Sequence, residues 1–239
     1  MRVFDRESGE GDLAPGTASD VSTDAAERTY RVAVLASGNG GNLQAIIDKV
    51  HGRLAASGGP VVEVVLVLSD QPEARALQRA QKAGILTEVC SLPSYGSRKA
   101  QEAAILKVVR IADPDLVVLA GYMRIVPPDF VQAFPWKIIN LHPALLPAFP
   151  GTTAMEDALE QGVKVTGVTV HFVDEGLDSG PIIAQQALRV EEGDTVETLA
   201  ERIHAIEHEL LPRVVRLLAA GKIRPPLPGT RSVQVHWND

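Results

Sequence analysis

Cysteine is almost missing from this sequence: Cys90 is the single one in 239 residues. An internal disulfide framework is therefore excluded, and the composition suits a reducing compartment, so a cytoplasmic protein is expected. Cys90 closes the apolar run "ILTEVC", where a buried structural thiol is the ordinary reading and a nucleophile the rare one. Basic charge is scarce as well. Lys and Arg number 23 against 30 Asp and Glu, a formal net charge of −7. A nucleic-acid binder needs a basic face, and none is expected. A small anion stays within reach, because a few backbone amides and an arginine can hold a phosphate locally. No apolar run approaches the roughly 20 residues of a membrane-spanning helix. The N-terminus lacks a basic stretch followed by an apolar one, so neither a signal peptide nor a membrane contact is expected. Internal repeats are absent.

What is present reads as one α/β domain. Hydrophobic residues make up 45% and charged residues 22%, which is ordinary for a globular chain. Residues 1–29 are polar and aperiodic and are expected to form a mobile extension. The domain spans 30–222, and residues 223–239, with "PPLPG", read as an extended, peripheral tail. Strands and helices alternate in between: strand 31–37, helix 42–50, strand 61–70, helix 72–83, a short strand in "LTEVC", and a helix over 97–112 with Ile105, Val108, Val109 and Ala112 on its apolar side. "DLVVLAG" (115–121) is near-continuously apolar, the mark of a strand buried on both faces of a parallel sheet. A short helix near 127–134 precedes the strand "KIINLH". Such alternation predicts a doubly wound, mostly parallel sheet with a Rossmann-like N-terminal half. Strands 164–173 and 181–190 lie too close for a helical crossover and predict an antiparallel hairpin at one side. A long helix (195–220) ends the core, with Leu199, Ile203, Ile206, Leu210, Val214 and Leu217 as its buried stripe.

Two places carry chemistry. The first strand ends in "ASGNGGNLQAI". Its glycines let backbone amides approach a ligand closely, and the helix N-terminus adds a positive dipole end. This suits a phosphate cradle; a tight turn without ligand, with Asn42 as helix N-cap, explains the same residues. Neither the nucleoside triphosphate loop nor G-x-G-x-x-G fits the spacing. The second place is "IINLHPALLPAFPG" (138–151). Asn140 and His142 share a side-chain phase in an extended strand, and three prolines stiffen the exit. An amide can donate to an oxyanion and an imidazole titrates near neutrality. An orienting carboxylate is available in "FVDEGLDSGPI" as Asp174, Glu175 or Asp178, and the sequence does not choose among them.

With "VAVLASGNGGNLQAII", "LAGYMRIV", "INLHPALLPAFPG", "GVTVHFVDEGLDSGPIIAQ" and "ERIHAIEHELLP" in order, the chain resembles the glycinamide ribonucleotide formyltransferases of purine biosynthesis over about 31–218. The resemblance implies the formyltransferase fold and transfer of a formyl group from 10-formyltetrahydrofolate, as co-substrate, to the amine of glycinamide ribonucleotide, with no metal. It carries the catalytic roles onto Asn140, His142 and Asp178. It carries substrate binding onto Gly40, Gly41, Asn42, Leu43 and Glu207. Folate binding falls on Arg98, Met123, Arg124, Ile125, Val126 and Asn140. A protonated His142, maintained by Asp178, is the expected oxyanion partner. Ala144, Ala148 and "TTAM" depart from relatives that carry Ser, Lys and a nearby His there. Among rival folate enzymes, a methionyl-tRNA formyltransferase would add a basic C-terminal domain, and a formyltetrahydrofolate deformylase a regulatory domain before the glycine turn. A non-catalytic folate- or nucleotide-binding module is the rival of a different class. The pair His204 and His208 is spaced i, i+4 but has no clear third metal ligand, which favours a solvated or substrate-facing helix surface.

Overall fold

The computed structural model describes residues 29–55 and 59–237. The expected N-terminal extension falls outside them except for Thr29, which already pairs in the first strand. In chain order the elements are β1 (Thr29–Leu35), α1 (Gly41–Lys49), β2 (Arg53–Leu54), β3 (Val61–Ser69), α2 (Arg75–Lys82), β4 (Thr87–Val89), α3 (Arg98–Ala112), β5 (Leu116–Leu119), α4 (Pro128–Ala133), β6 (Ile138–His142), α5 (Ala154–Glu160), β7 (Val165–Phe172), β8 (Ile182–Arg189), α6 (Val196–Ala219), β9 (Ile223–Arg224) and β10 (Gln234–Val235).

The central sheet runs β2-β3-β1-β5-β6-β7-β8, with β4 also on β3. Strands β4, β3, β1, β5 and β6 pair in parallel. Strand β7 runs antiparallel to β6, and β8 antiparallel to β7, as the short connection demanded. Alternation along β1 sorts the core into two layers. Val32 and Val34 join α1, α2 and α6 on one face; Ala33 and Leu35 join α3 and α4 on the other. All four residues of β5 are buried, as its unbroken apolar run required.

Helix α6 begins with a reciprocal cap in which Thr195 and Thr198 each accept from the other's backbone N–H. Leu199, Ile203, Leu210, Val214 and Leu217 are buried along it, with Ile206 partly so. Pro212 sits inside the helix and cannot donate to the carbonyl of His208. Lys49 Nζ of α1 supplies the missing donor at 2.9 Å, so the defect becomes a link between two helices.

Three features depart from the sequence reading. Helix α5 has only seven residues, too few to display a period, and it buries Ala154 and Ala158. Strand β2 has two residues. The tail is not simply extended: β9 and β10 pair antiparallel, and Ile223 is 5% exposed in the core. Pairing between residues ten and twelve apart across a proline-rich turn leaves no local period to read. Among the described residues, no helix is long and apolar enough to cross a membrane.

Ile203 is fully buried at the centre of α6. Ile203→Ala should cost about 2–5 kcal/mol in urea unfolding, from lost transfer energy and a residual cavity, whereas the exposed Glu201→Ala should stay within about 0.5 kcal/mol.

Candidate active site

Strand β6 places its side chains as alternation requires. Ile139 and Leu141 enter the layer with α6, so Asn140 and His142 face the opposite side. Asn140 lies level with Leu119, the last residue of β5, and Leu119 with Leu35, the last of β1. The pair therefore stands at the carboxyl ends of the parallel strands, where open α/β sheets leave a crevice.

Asp178 reaches this point from the β7–β8 loop. Its Oδ1 accepts from Asn140 Nδ2 at 3.2 Å, and its Oδ2 accepts from the Gly151 N–H at 2.9 Å. His142 Nδ1 lies 3.4 Å from Oδ2. The neighbouring carboxylates are occupied elsewhere. Asp174 accepts from the Gly176 N–H and the Ser179 hydroxyl, and Glu175 accepts from Gln132 of α4. Of the three acids in the loop, Asp178 alone faces the amide and the imidazole.

The proline-rich loop has a definite task. His142 Nε2 donates to the carbonyl of Phe149 at 2.7 Å, and Phe149 has φ +53° to turn that carbonyl inward. The loop is clamped by buried Thr169, whose hydroxyl donates to Ala144 O at 2.6 Å and accepts from the Leu146 N–H at 3.1 Å. Gln185 adds a bond to Leu146 O at 2.8 Å. The Leu146–Pro147 peptide is cis.

His171 is a fourth member that the motif reading missed. It pairs with Asn140 across β6 and β7. Its Nδ1 donates to Phe172 O at 2.8 Å, which leaves Nε2 of the neutral ring to accept from Asn140 Nδ2 at 3.2 Å. Nε2 also lies 3.7 Å from Asp178 Oδ1. Both Asn140 amide protons are thereby directed, one to Asp178 and one to His171. The available signal was the alternation of "VTVHF", which shows a polar ring on a buried strand but not its neighbour.

Burial and the neighbouring charge act on His142 in opposite senses. Burial is the largest influence on His142 and lowers its pKa below the ordinary 6.5; the Phe149 carbonyl and the Asp178 carboxylate pull it back only in part, and His171 adds to the lowering. Asp178 thus favours the imidazolium, but by less than burial disfavours it. For Asp178 itself, burial would raise the pKa, but the His171 ring, the Gly151 N–H and the His142 ring outweigh it and hold the carboxyl below its usual range.

Beside this cluster lies a pocket lined by Tyr122 to Val126, Asn140, His142, Val173 and Leu177. Met123 and Ile125 expose large apolar surfaces there. The 121–126 segment is pinned from beneath: the Met123 N–H donates to Ser37 Oγ at 3.0 Å, and Ser37 donates to Asp70 at 2.6 Å. Arg124 Nη1 stands 3.8 Å from Asp70, and its Nη2 is buried without a partner. Arg98 starts α3, exposed, and does not line the pocket.

The glycine turn forms a second cluster. Gly40, not Asn42, is the helix N-cap, with φ +73°; a Cβ there would lie 2.7 Å from Ala76 Cα. Asn42 instead donates to Glu207 Oε2 at 2.9 Å. The N–H groups of 41–43 precede the first intrahelical bond, from Gln44 to Gly40, and so remain available. The Leu43 side chain is fully buried, so only its backbone can meet a ligand. Burial pushes the Glu207 pKa up, against the bond from Asn42 and the influence of His204. The His204 and His208 rings stack at 6.3 Å, and His208 Nε2 lies 3.0 Å from the position a Gly41 Cβ would take. Among the described residues, no group of three or more His, Cys, Asp or Glu is arranged to hold a metal ion. Cys90 is buried and free, and burial raises its pKa.

Comparison with known proteins gives a consistent picture. Residues 30–215 match the formyl transferase family model. A phosphoribosylglycinamide formyltransferase of Bacillus subtilis (strain 168) is 45% identical over 188 residues, covering 79% of this chain and 94% of the relative. The trifunctional purine biosynthetic protein adenosine-3 of Bos taurus is 45% identical over 194 residues, 81% of this chain but only 19% of that longer protein. The crystal structure of glycinamide ribonucleotide transformylase 1 from Symbiobacterium toebii superposes with a TM-score of 0.79 at 47% identity, covering 87% of this chain and 94% of that one.

An NMR titration of the imidazoles should place the His142 midpoint below 6.5, and Asp178→Asn should lower it further by removing a raising influence. The sign for stability follows: as pH falls through 6.5 the unfolded chain takes up this proton first, so the His142 site loses stability on acidification. A midpoint above 6.5 would restore a resident imidazolium.

Proposed function

The chain belongs to the formyl transferase family, and from that premise we propose that it transfers the formyl group of 10-formyltetrahydrofolate to the amine of glycinamide ribonucleotide, a step of purine biosynthesis carried out in the cytoplasm. The observation that carries the reading is the meeting of Asn140, His142 and Asp178 beside the pocket lined by 122–126. The buried, reduced Cys90 suits the compartment.

In this reading the amine attacks the formyl carbon directly, and the carbonyl oxygen becomes a tetrahedral oxyanion. Asn140 donates to that oxygen, exchanging one of its present partners, Asp178 Oδ1 or His171 Nε2, for the developing charge. His142 starts neutral, with its Nε2 proton committed to Phe149 and a lone pair on Nδ1. The attacking nitrogen becomes cationic as its bond forms. Its surplus proton passes to Nδ1, next to Asp178, and from there to the departing folate nitrogen. The imidazolium so formed lies between Asp178 and the oxyanion, and both stabilise it. Burial keeps water from competing for these contacts.

The folate occupies the pocket with its apolar body against Met123 and Ile125, and the unpartnered Nη2 of Arg124 offers it a donor. The substrate phosphate takes the amides of Gly41, Asn42 and Leu43, with Gly40 shaping the turn. Glu207, which accepts from Asn42, binds the nucleotide beside that turn.

A two-substrate assay tests the reading. The purified chain with both substrates should form formylglycinamide ribonucleotide and tetrahydrofolate; no product would reject it. Asn140→Ala should lower kcat by about 10²–10³ with folate affinity little changed, whereas unchanged kcat would remove Asn140 from the chemistry. His142→Ala that still binds both ligands but transfers nothing separates an enzyme from a binding module. Gly41→Val should weaken calorimetric binding of glycinamide ribonucleotide about tenfold or more, near 1.4 kcal/mol, because the added carbon must displace His208; unchanged affinity would remove the turn from the phosphate site.

A further inference from the structure

The loop that delivers Asp178 is held at more points than its length requires. Asp178 has φ +48°, a left-handed conformation that Asp tolerates better than most residues but that still costs energy unless its surroundings impose it. Within the loop, Asp174 gathers the Gly176 N–H and the Ser179 hydroxyl. From α4, Gln132 fixes Glu175. At the far side Gly180 passes so close to Phe172 O that a Cβ could not be placed there. The residue following Asp178 has one further tie, and it comes from the C-terminal tail: the Arg231 guanidinium donates to the carbonyl of Ser179.

The tail is built to bring that arginine into place. Ile223 anchors its start in the core. Pairing of β9 with β10 and the bond from the His236 N–H to Lys222 O, 2.9 Å, return the chain to its origin. Arg213 of α6 then stacks 4.7 Å from the Trp237 ring. Between these anchors, Gly229 at φ +79° and the Thr230 bonds to Leu227 O form a tight turn, and Arg231 follows it at once. Val233 and Val235 pack against the core on the return.

We propose that the tail is a strap and that Arg231 is a positioning residue, acting through Ser179 to hold Asp178 toward Asn140 and His142. This rests on the catalytic role proposed for Asp178. No described residue of the tail lines the pocket, so its contribution belongs to turnover and not to binding.

The test compares Arg231→Ala and Arg231→Lys with the full-length wild-type chain. A guanidinium–carbonyl bond at an exposed site supports a fall in kcat of about three- to tenfold for Arg231→Ala, with both KM values within about twofold. Arg231→Lys, which restores a cationic donor, should recover most of the loss. Amide hydrogen exchange gives a readout independent of activity: the Gly151 N–H, held by Asp178 Oδ2, should exchange faster in Arg231→Ala by a similar factor and return toward wild type in Arg231→Lys. Unchanged kcat together with unchanged Gly151 exchange overturns the strap, and so does a loss that Arg231→Lys fails to recover. Asp178→Asn measured in parallel separates the two readings. If it retains full turnover the role of Asp178 is wrong, and the Gly151 exchange alone then decides whether the tail holds the loop.

Discussion

The carboxylate of Asp178 is the charge around which the site is arranged. A half-buried anion must be partnered or neutralised, and here two N–H donors hold it while two imidazoles stand beside it. An amide of β6, a backbone N–H from the end of the proline loop, and two imidazoles from different strands all converge on two oxygens. Each partner is fixed in turn by something else. Phe149 holds His142, the Phe172 carbonyl holds His171, and the His171 ring orients the Asn140 amide. The result is a set of polar groups whose positions the fold itself settles, which is the condition under which electrostatic stabilisation is effective.

That set depends on the switch from parallel to antiparallel pairing. Parallel strands β1, β5 and β6 end at one level and open a crevice there. Antiparallel β7 then brings His171 beside Asn140 in register, and its loop climbs back to supply Asp178.

The glycine turn and α6 show a similar economy. Gly40 is needed for packing on Ala76 and for its positive φ, while Gly41 keeps room beneath His208. Pro212 opens a gap in the α6 hydrogen bonds one turn beyond Glu207, and Lys49 of α1 closes it. The helix bearing Glu207 and the helix bearing the free amides are thereby tied by Asn42–Glu207 at one level and Lys49–His208 at the next.

Local periodicity made much of this legible from the residues. Continuous burial of β5, the stripe of α6, the shared phase of Asn140 and His142, and the strand–glycine–helix turn all follow from repeats of two or 3.6 residues, which any chain must obey. The folded arrangement alone decided the rest. Asp174, Glu175 and Asp178 are equivalent in sequence, and they differ because Gly176, Ser179 and Gln132 occupy the first two. His171, the Phe149 carbonyl and the returning tail act across separations of 7 to 52 residues, beyond any local pattern. The net lowering of the His142 pKa was beyond the motif for the same reason. A motif shows that a carboxylate stands nearby, but desolvation depends on how completely the surrounding layers exclude water, and that quantity exists only once the chain has folded.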